Sequence, residues 1–436
     1  MGDTPSYLNP IESLLKTGSY LPDFRMPGYS GVYLLFRLIG DKAMACNLII
    51  ISQLLLAIMA AYSLALMAKM LFKSNRAFYI CFYLFLISTY SNFYDAYLLT
   101  ESFCASALVF AAYYLVLWFQ SAKPKYLLFS GIFITWAIFL RPVFMPILLL
   151  MAFILIVQLI KNKRSWAKPL ITLLLPFLLA DGTWVTRNYI NHKQFIPLTS
   201  SALYPEAANS YVQPLFEFVQ SWGASTNYSD AKSALSWFDF YLPGMVKPDH
   251  FDTIPNYIYT TRFNRDSLVY LKQLVHILQN KTLDSNKAKA VQTELVEKLH
   301  IYTRSIAREK PFLYYIRTPL KLTKTFLYGP ETKEYLKRGK VFHSLGTIII
   351  AFNTLFYLAV LVLGLIGALL LIFRAYRESY LYLLFALLPI YVIVVHPMIL
   401  RYAVNRFLMP SWPFLLVCAT FTLLATYNRL SKPRSA

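Results

Sequence analysis

Long apolar runs separated by short basic loops set the pattern of this chain. Nine runs read as membrane spans, at roughly 43–68, 77–91, 97–119, 126–140, 143–160, 169–185, 343–373, 380–396 and 407–427. A span needs about 20 apolar residues, so 77–91 and 126–140 are short. Loop charge brings them into the count. Lys69, Lys73 and Arg76 share one loop, and Lys123 and Lys125 follow two spans later. Lys161, Lys163, Arg164 and Lys168 come next in phase, then Arg374 and Arg377, then Arg429, Lys432 and Arg434. Every strongly basic short loop falls on one side, as the positive-inside rule requires. The count holds only if 126–160 is two helices, and Leu140-Arg141-Pro142, followed by Pro146, is where a helix stops or kinks.

The same parity puts 1–42, the loop 91–96, the hinge at Arg141, the stretch 186–342 and the loop 397–406 at the opposite, outer face. The run 28–40 is apolar but too short to span, and reads as an interfacial helix. Residues 186–342 are too long for a simple loop. Within them, 285–309 alternates charge with Val, Leu and Ile at helical spacing, and Pro311 and Pro319 divide an aromatic-rich segment, 312–328, that returns to the membrane. The expected fold is an all-α polytopic membrane protein with an extracytoplasmic helical insertion. Its parts are an outer loop with interfacial helix (1–42), six membrane helices (43–185), the extracytoplasmic domain (186–342), then three membrane helices and a cytoplasmic tail (343–436).

Composition agrees. Of 436 residues 57% are hydrophobic and 14% charged, against about 25% charged in soluble domains. The formal charge of +21 does not point to nucleic acid, because much of it lies in topology-setting loops. Cys46, Cys81, Cys104 and Cys418 all fall in apolar runs and read as small buried hydrophobes rather than a disulfide framework. Residues 1–27 carry no signal-peptide pattern.

Ionisable groups at a bilayer border are costly and usually functional. Five stretches carry them. The first is Gly2-Asp3-Thr4 with Tyr7, Glu12, Gly18 and Tyr20, running to Arg25-Met26-Pro27-Gly28-Tyr29. Here Asp3 is a candidate general base and Arg25 a bidentate phosphate clamp; the plain alternative is a solvated tail and a surface turn. The second holds Asp95 and Glu101, at the outer end of an apolar helix. Both also suit a helix N-terminus, with Thr100 as a possible cap. The third, Arg141-Pro142, can snorkel instead. The fourth, Trp184-Val185-Thr186-Arg187-Asn188-Tyr189, leads to Pro197-Leu198-Thr199-Ser200, and its Trp and Tyr also suit interface anchors. The fifth comprises His396-Pro397, Arg401-Tyr402, Asn405-Arg406 and Met409-Pro410. The six histidines are scattered without ligand spacing, and no glycine-rich phosphate loop or nucleophile elbow occurs. A lipid-borne, phosphate-bearing substrate fits such a chain better than a soluble nucleotide.

These five motifs, in this order, resemble the GT-C superfamily of membrane glycosyltransferases, specifically the bacterial protein mannosyltransferase-like and aminoarabinose transferase-like group. The residues that carry the resemblance are Asp3, Tyr7, Gly18 and Arg25 to Tyr29, then Glu101, Arg141-Pro142, Trp184 to Tyr189, and Pro197 to Ser200. It covers nearly the whole chain except the middle of 205–285. It implies a GT-C-like helical bundle in a bacterial inner membrane, a polyprenyl-phosphate-linked sugar as donor, and a protein, lipid or glycan hydroxyl as acceptor. Asp3 and Glu101 are then the catalytic candidates, and Arg25, Arg141, Arg187, Arg401 and Arg406 the donor-phosphate candidates. No metal ligand set is implied, although a divalent cation is compatible with the family.

Two positions depart from the family pattern. A first transmembrane helix is expected before Asp3, so the expectation is a truncated sequence or a start placed too late. Thr4 stands where many relatives carry a second acid, which weakens the case for a metal beside Asp3. Other classes remain in view: a lipid-carrier flippase or transporter, a polysaccharide ligase or polymerase, or a non-catalytic membrane protein. Transporters favour internal repeats and midplane polar sites; here there is no repeat, and the polar groups gather at a border.

Overall fold

A computed structural model describes residues 3–22, 24–199, 211–226, 234–238, 240, 254–279, 284–328 and 343–430. Among them the chain is helical, apart from one isolated β-bridge between Thr260 and Phe263. Among the described residues, seven helical segments are long and apolar enough to cross a membrane. Two shorter apolar helices, Asn75–Ile87 and Pro124–Leu140, correspond to the two short expected spans. The chain is therefore an all-α polytopic membrane protein.

The helices are α1 (Thr4–Thr17), α2 (Pro27–Arg37), α3 (Lys42–Phe72), α4 (Asn75–Ile87), α5 (Thr89–Tyr94), α6 (Thr100–Ser121), α7 (Pro124–Leu140), α8 (Met145–Lys161) and α9 (Ala167–His192). The hydrophilic insertion supplies α10 (Val212–Ser221), α11 (Arg265–Gln279), α12 (Ser285–Glu309) and α13 (Thr318–Tyr328). The last membrane helices are α14 (His343–Ala375), α15 (Leu381–Val394) and α16 (Trp412–Leu430).

The expected hinge is present. At Arg141 the backbone turns extended, and a short 3-10 turn, Pro142–Phe144, separates α7 from α8. Proline after an extended residue ends one helix and starts the next. The N-terminal stretch is neither an irregular loop nor the solvated tail of the plain alternative. Residues 4–17 form α1, which ends at Gly18 in the left-handed conformation that glycine favours. Its buried face, Tyr7, Leu8, Pro10 and Ile11, packs against the bundle. Tyr7, Leu8, Ile11, Leu14 and Leu15 recur at helical spacing, but Pro10 falls inside the helix, where proline ordinarily breaks one.

Close backbone approach holds the bundle together. A side chain at Gly367 of α14 would collide with the Cys418 carbonyl of α16, and one at Gly131 of α7 would meet the Leu173 carbonyl of α9. In a bilayer, where lipid is as apolar as leucine, such small-residue contacts replace the hydrophobic drive between helices. α6 and α16 are both buried over most of their length.

The basic loops meet at one end of the bundle. The Tyr382 hydroxyl donates to the Leu71 carbonyl at 3.1 Å. Arg76 lies over Tyr427, Lys161 over Tyr380 and Arg374 over Phe421. The insertion has its own core, built from Leu215, Phe218 and Trp222 of α10, Leu271 of α11, and Leu299, Tyr302 and Ile306 of α12. Helix α13, the last among the described residues of the insertion, joins the membrane bundle through Phe326. Asn405 donates to the Phe326 carbonyl at 2.7 Å and to the Tyr357 hydroxyl at 3.0 Å.

Candidate functional site

The site lies where the N-terminus of α1, the N-terminus of α6, the α7–α8 hinge and the segment before α16 converge. Asp3 precedes α1, whose start is tied to the loop before α6 by the Thr4 hydroxyl donating to the Leu98 carbonyl at 3.1 Å. Glu101 sits in the first turn of α6 and is 1% exposed. Its Oε1 accepts from Arg141 Nη2 at 2.6 Å and lies 3.6 Å from Arg406 Nε. Arg406 Nη2 in turn pairs with the Asp3 carboxylate. The chain Arg141–Glu101–Arg406–Asp3 is thus continuous, although its members are far apart in sequence.

Local structure places each member. Thr100 does not cap α6; the residue before the helix is Leu99, and no side chain caps it. The Thr100 hydroxyl instead accepts from Arg141 Nε at 3.0 Å and contacts Glu101 Oε2 at 3.4 Å. Arg141 does not snorkel. It is held by Glu101 and Thr100 and lies 4.7 Å over the Phe407 ring. Asp3 titrates below the ordinary carboxylate range. Burial pushes its pKa up, but the Arg406 charge and hydrogen bond, then the Arg25 and Arg141 charges, pull it down further.

The Arg-Met-Pro-Gly-Tyr turn is fixed by close contact. Gly28 opens α2 directly on the end of α7, where a Cβ would lie 2.6 Å from Leu140 N. The Gly28 carbonyl accepts from Trp136 Nε1 at 3.0 Å. Arg25 donates to the Ser6 hydroxyl at 3.2 Å and lies 4.7 Å over the Tyr7 ring. It lines a cavity of about 50 Å³ with Tyr7, Phe24, Thr100, Leu140 and Thr199, room for a few water molecules.

Several residues of the expected motifs stand elsewhere. Arg187 is not among the groups that meet Asp3; it lies 4.8 Å over Trp184 and donates to the Tyr20 carbonyl at 3.3 Å. Trp184 is buried, donating to the Leu198 carbonyl at 2.6 Å, so it is not an interface anchor. The Thr199 hydroxyl donates to the Phe24 carbonyl at 2.9 Å. This fourth motif therefore braces the Arg25 turn. Glu12 brackets α1 to α2, accepting from Tyr33 at 2.5 Å and Arg37 at 3.0 Å. Arg401 turns to the insertion, stacking 3.6 Å over Tyr314 and donating to its carbonyl at 2.9 Å.

Two groups gain weight from the structure. His396 is buried between the Phe326 and Phe407 rings, and its Nε2 has no hydrogen-bond partner among the described residues. Phe407 also carries Arg141 and Arg406 on its ring, so the histidine borders the charged cluster. Asp95, in the loop before α6, is buried and accepts from the Ser102 hydroxyl at 2.5 Å. Burial raises its pKa to about 7, against a smaller lowering by Ser102. Sequence spacing gave no signal for either environment. Among the described residues no three His, Cys, Asp or Glu side chains cluster as metal ligands. A divalent ion at the site would find Asp3 and Glu101 already held by guanidinium groups.

No family model, curated protein or solved structure matches the chain.

Proposed function

We propose that the protein transfers a sugar from a polyprenyl-phosphate-linked donor to a hydroxyl acceptor at the outer face of a bacterial plasma membrane. The observation that carries this reading is Arg406 set between Asp3 and Glu101, with Arg141 and Arg25 beside them. Ionised carboxylate and guanidinium groups at one end of a membrane bundle, away from the basic loops, match an acid–base reaction on a lipid phosphate. The positive-inside rule assigns this end to the outer face.

The reaction follows from the chemistry of the groups. Asp3 takes the acceptor hydroxyl proton as the oxygen bonds to the anomeric carbon. The bond from that carbon to the phosphate oxygen breaks, with inversion, and polyprenyl phosphate leaves with the electron pair. Arg406, Arg141 and Arg25 neutralise the leaving charge, and stabilising charge where it develops is usually the largest catalytic contribution. Arg406 has a second role in this scheme. When it turns to the donor phosphate, Asp3 loses the largest influence that depresses its pKa, while burial still raises it. The base therefore strengthens as the donor binds.

Asp3→Asn tests the proposal. In a deletion strain, a polyprenyl-monophosphate sugar should accumulate and one glycan decoration should disappear. The wild-type chain should restore it. The variant, made to the same level, should leave transfer about 10²–10⁴-fold lower. Full restoration by Asp3→Asn would overturn the role of Asp3 as base.

A further inference from the structure

We propose that the segment from Lys310 to Tyr328 lies on an anionic bilayer surface, with Phe312, Tyr315, Ile316 and Leu320 immersed among the lipid headgroups. This inference stands apart from the proposed reaction.

The segment has two faces. A π-helical turn, Leu313–Arg317, leads directly into α13. Leu313 is buried in the insertion core, and Thr318, Leu322 and Phe326 face inward at four-residue spacing. Phe312, Ile316 and Leu320 repeat at the same spacing on the outside, at 66%, 48% and 58% exposure, with Tyr315 at 64% beside them. Large apolar side chains grouped in this way mark an interaction surface.

Charge selects the occupant. The stretch Lys310-Pro-Phe-Leu-Tyr-Tyr-Ile-Arg-Thr-Pro-Leu-Lys-Leu-Thr-Lys-Thr-Phe-Leu-Tyr328 contains four cations and no acid. Lys310 is spent on the Tyr257 carbonyl and Arg317 on the Tyr257 ring. Lys321 and Lys324 are exposed next to the apolar row. Aromatic and aliphatic groups flanked by lysines are what an anionic headgroup layer binds.

Depth is set by Arg401. Its backbone is left-handed, at φ 55°, a conformation that costs a non-glycine residue energy. That turn brings its guanidinium onto the Tyr314 ring and carbonyl. Ile399, which ends a membrane-spanning segment, and Leu400, which caps it, are exposed. The outward row of 312–320 is therefore clamped beside the end of a span, at the level of the headgroups.

Site-directed spin labelling of the full chain, reconstituted in vesicles, tests this. Phe312→Cys, Ile316→Cys and Leu320→Cys are labelled one at a time in a Cys46→Ser background, with Lys289→Cys, at an exposed position of α12, as a water reference. In mixed phosphatidylcholine and phosphatidylglycerol vesicles, the three labels should collide more with oxygen than with a water-soluble nickel chelate. The reference label should show the reverse. Removing phosphatidylglycerol, or introducing Lys321→Glu with Lys324→Glu, should shift the three labels towards water. Water-like accessibility at all three positions overturns the proposal. Protection from both reagents also overturns it, since it would mean a protein covers the row. Equal immersion without anionic lipid overturns the charge selection.

Discussion

Arg406 lies 403 positions along the chain from Asp3 and pairs with its carboxylate. Arg406 is also the largest favourable influence on that carboxylate, through charge and hydrogen bond together. Removing it leaves burial, which acts the other way, opposed only by the weaker Arg25 and Arg141 charges. A lowered carboxylate pKa means the base form persists as pH falls, and is lost only below the ordinary carboxylate range. Arg406→Ala should therefore move the acid limb of the transfer pH–rate profile to higher pH. The rate at neutral pH should also fall, by about 10²–10³-fold, from loss of charge stabilisation. A profile with the wild-type acid limb would separate Arg406 from Asp3.

Glu101 and Arg141 form the buried half of the cluster. A carboxylate 1% exposed is stable there because Arg141 meets it at 2.6 Å and Arg406 approaches from the other side. Breaking a buried pair by removing one partner costs about 3–5 kcal/mol, because the other charge is stranded. Arg141→Met should lower stability by an amount in that range, read from denaturation in detergent. Combining it with Glu101→Gln should cost much less than the two single changes added, since no charge is then stranded. Additive losses would show that the pair is uncoupled.

The sequence carried the spans and the members of the cluster further than it carried the reasons for them. Hydropathy and loop charge were enough to place the Arg141 hinge, because proline chemistry and the parity of basic loops agree there. Asp3, Glu101, Arg141 and Arg406 were legible as border charges, since a bilayer makes such residues conspicuous. Which arginines meet which acids was not legible, because pairing depends on contacts between helices remote in sequence. Arg187 and Arg401 look like the others in a hydropathy profile, yet one braces Tyr20 and the other clamps Tyr314. Helix α1 was hidden for a different reason: Pro10 interrupts its apolar repeat where a helix should break, and tertiary packing against α2 and the bundle holds it.

Gly28 has a steric rather than conformational role. α2 begins so close to α7 that any Cβ would strike the backbone of Phe139 and Leu140. The backbone cannot yield as a flexible side chain would. Overpacking of this kind costs about 1–3 kcal/mol, and here it acts on the contact that positions Arg25. Gly28→Ala should leave the bundle helical but open the 18–26 connection to limited proteolysis, with transfer reduced in parallel. Unchanged protease resistance would show that α2 docks by other contacts.

Asp95 offers a readout that does not need the substrate. Its folded pKa of about 7 lies above the ordinary aspartate value of 3.8. Below 3.8 the carboxyl is protonated in both folded and opened states, so no dependence on pH arises. Between the two values the opened loop loses a proton that the folded one keeps, so the folded form weakens as pH rises. Above about 7 both are ionised and the dependence ends. The opening constant of the loop should rise about tenfold per pH unit across that window. Hydrogen exchange of the amides from 95 to 102, corrected for intrinsic rate, should show protection falling with pH and then levelling. The Gln53 side chain donates to the Asp95 and Tyr97 carbonyls at 2.9 and 2.8 Å, tying this loop to α3. Asp95→Asn keeps those backbone contacts and removes the titration, so its protection should be flat over the same range. A wild-type loop that is equally flat would mean that Asp95 is ionised in the folded protein.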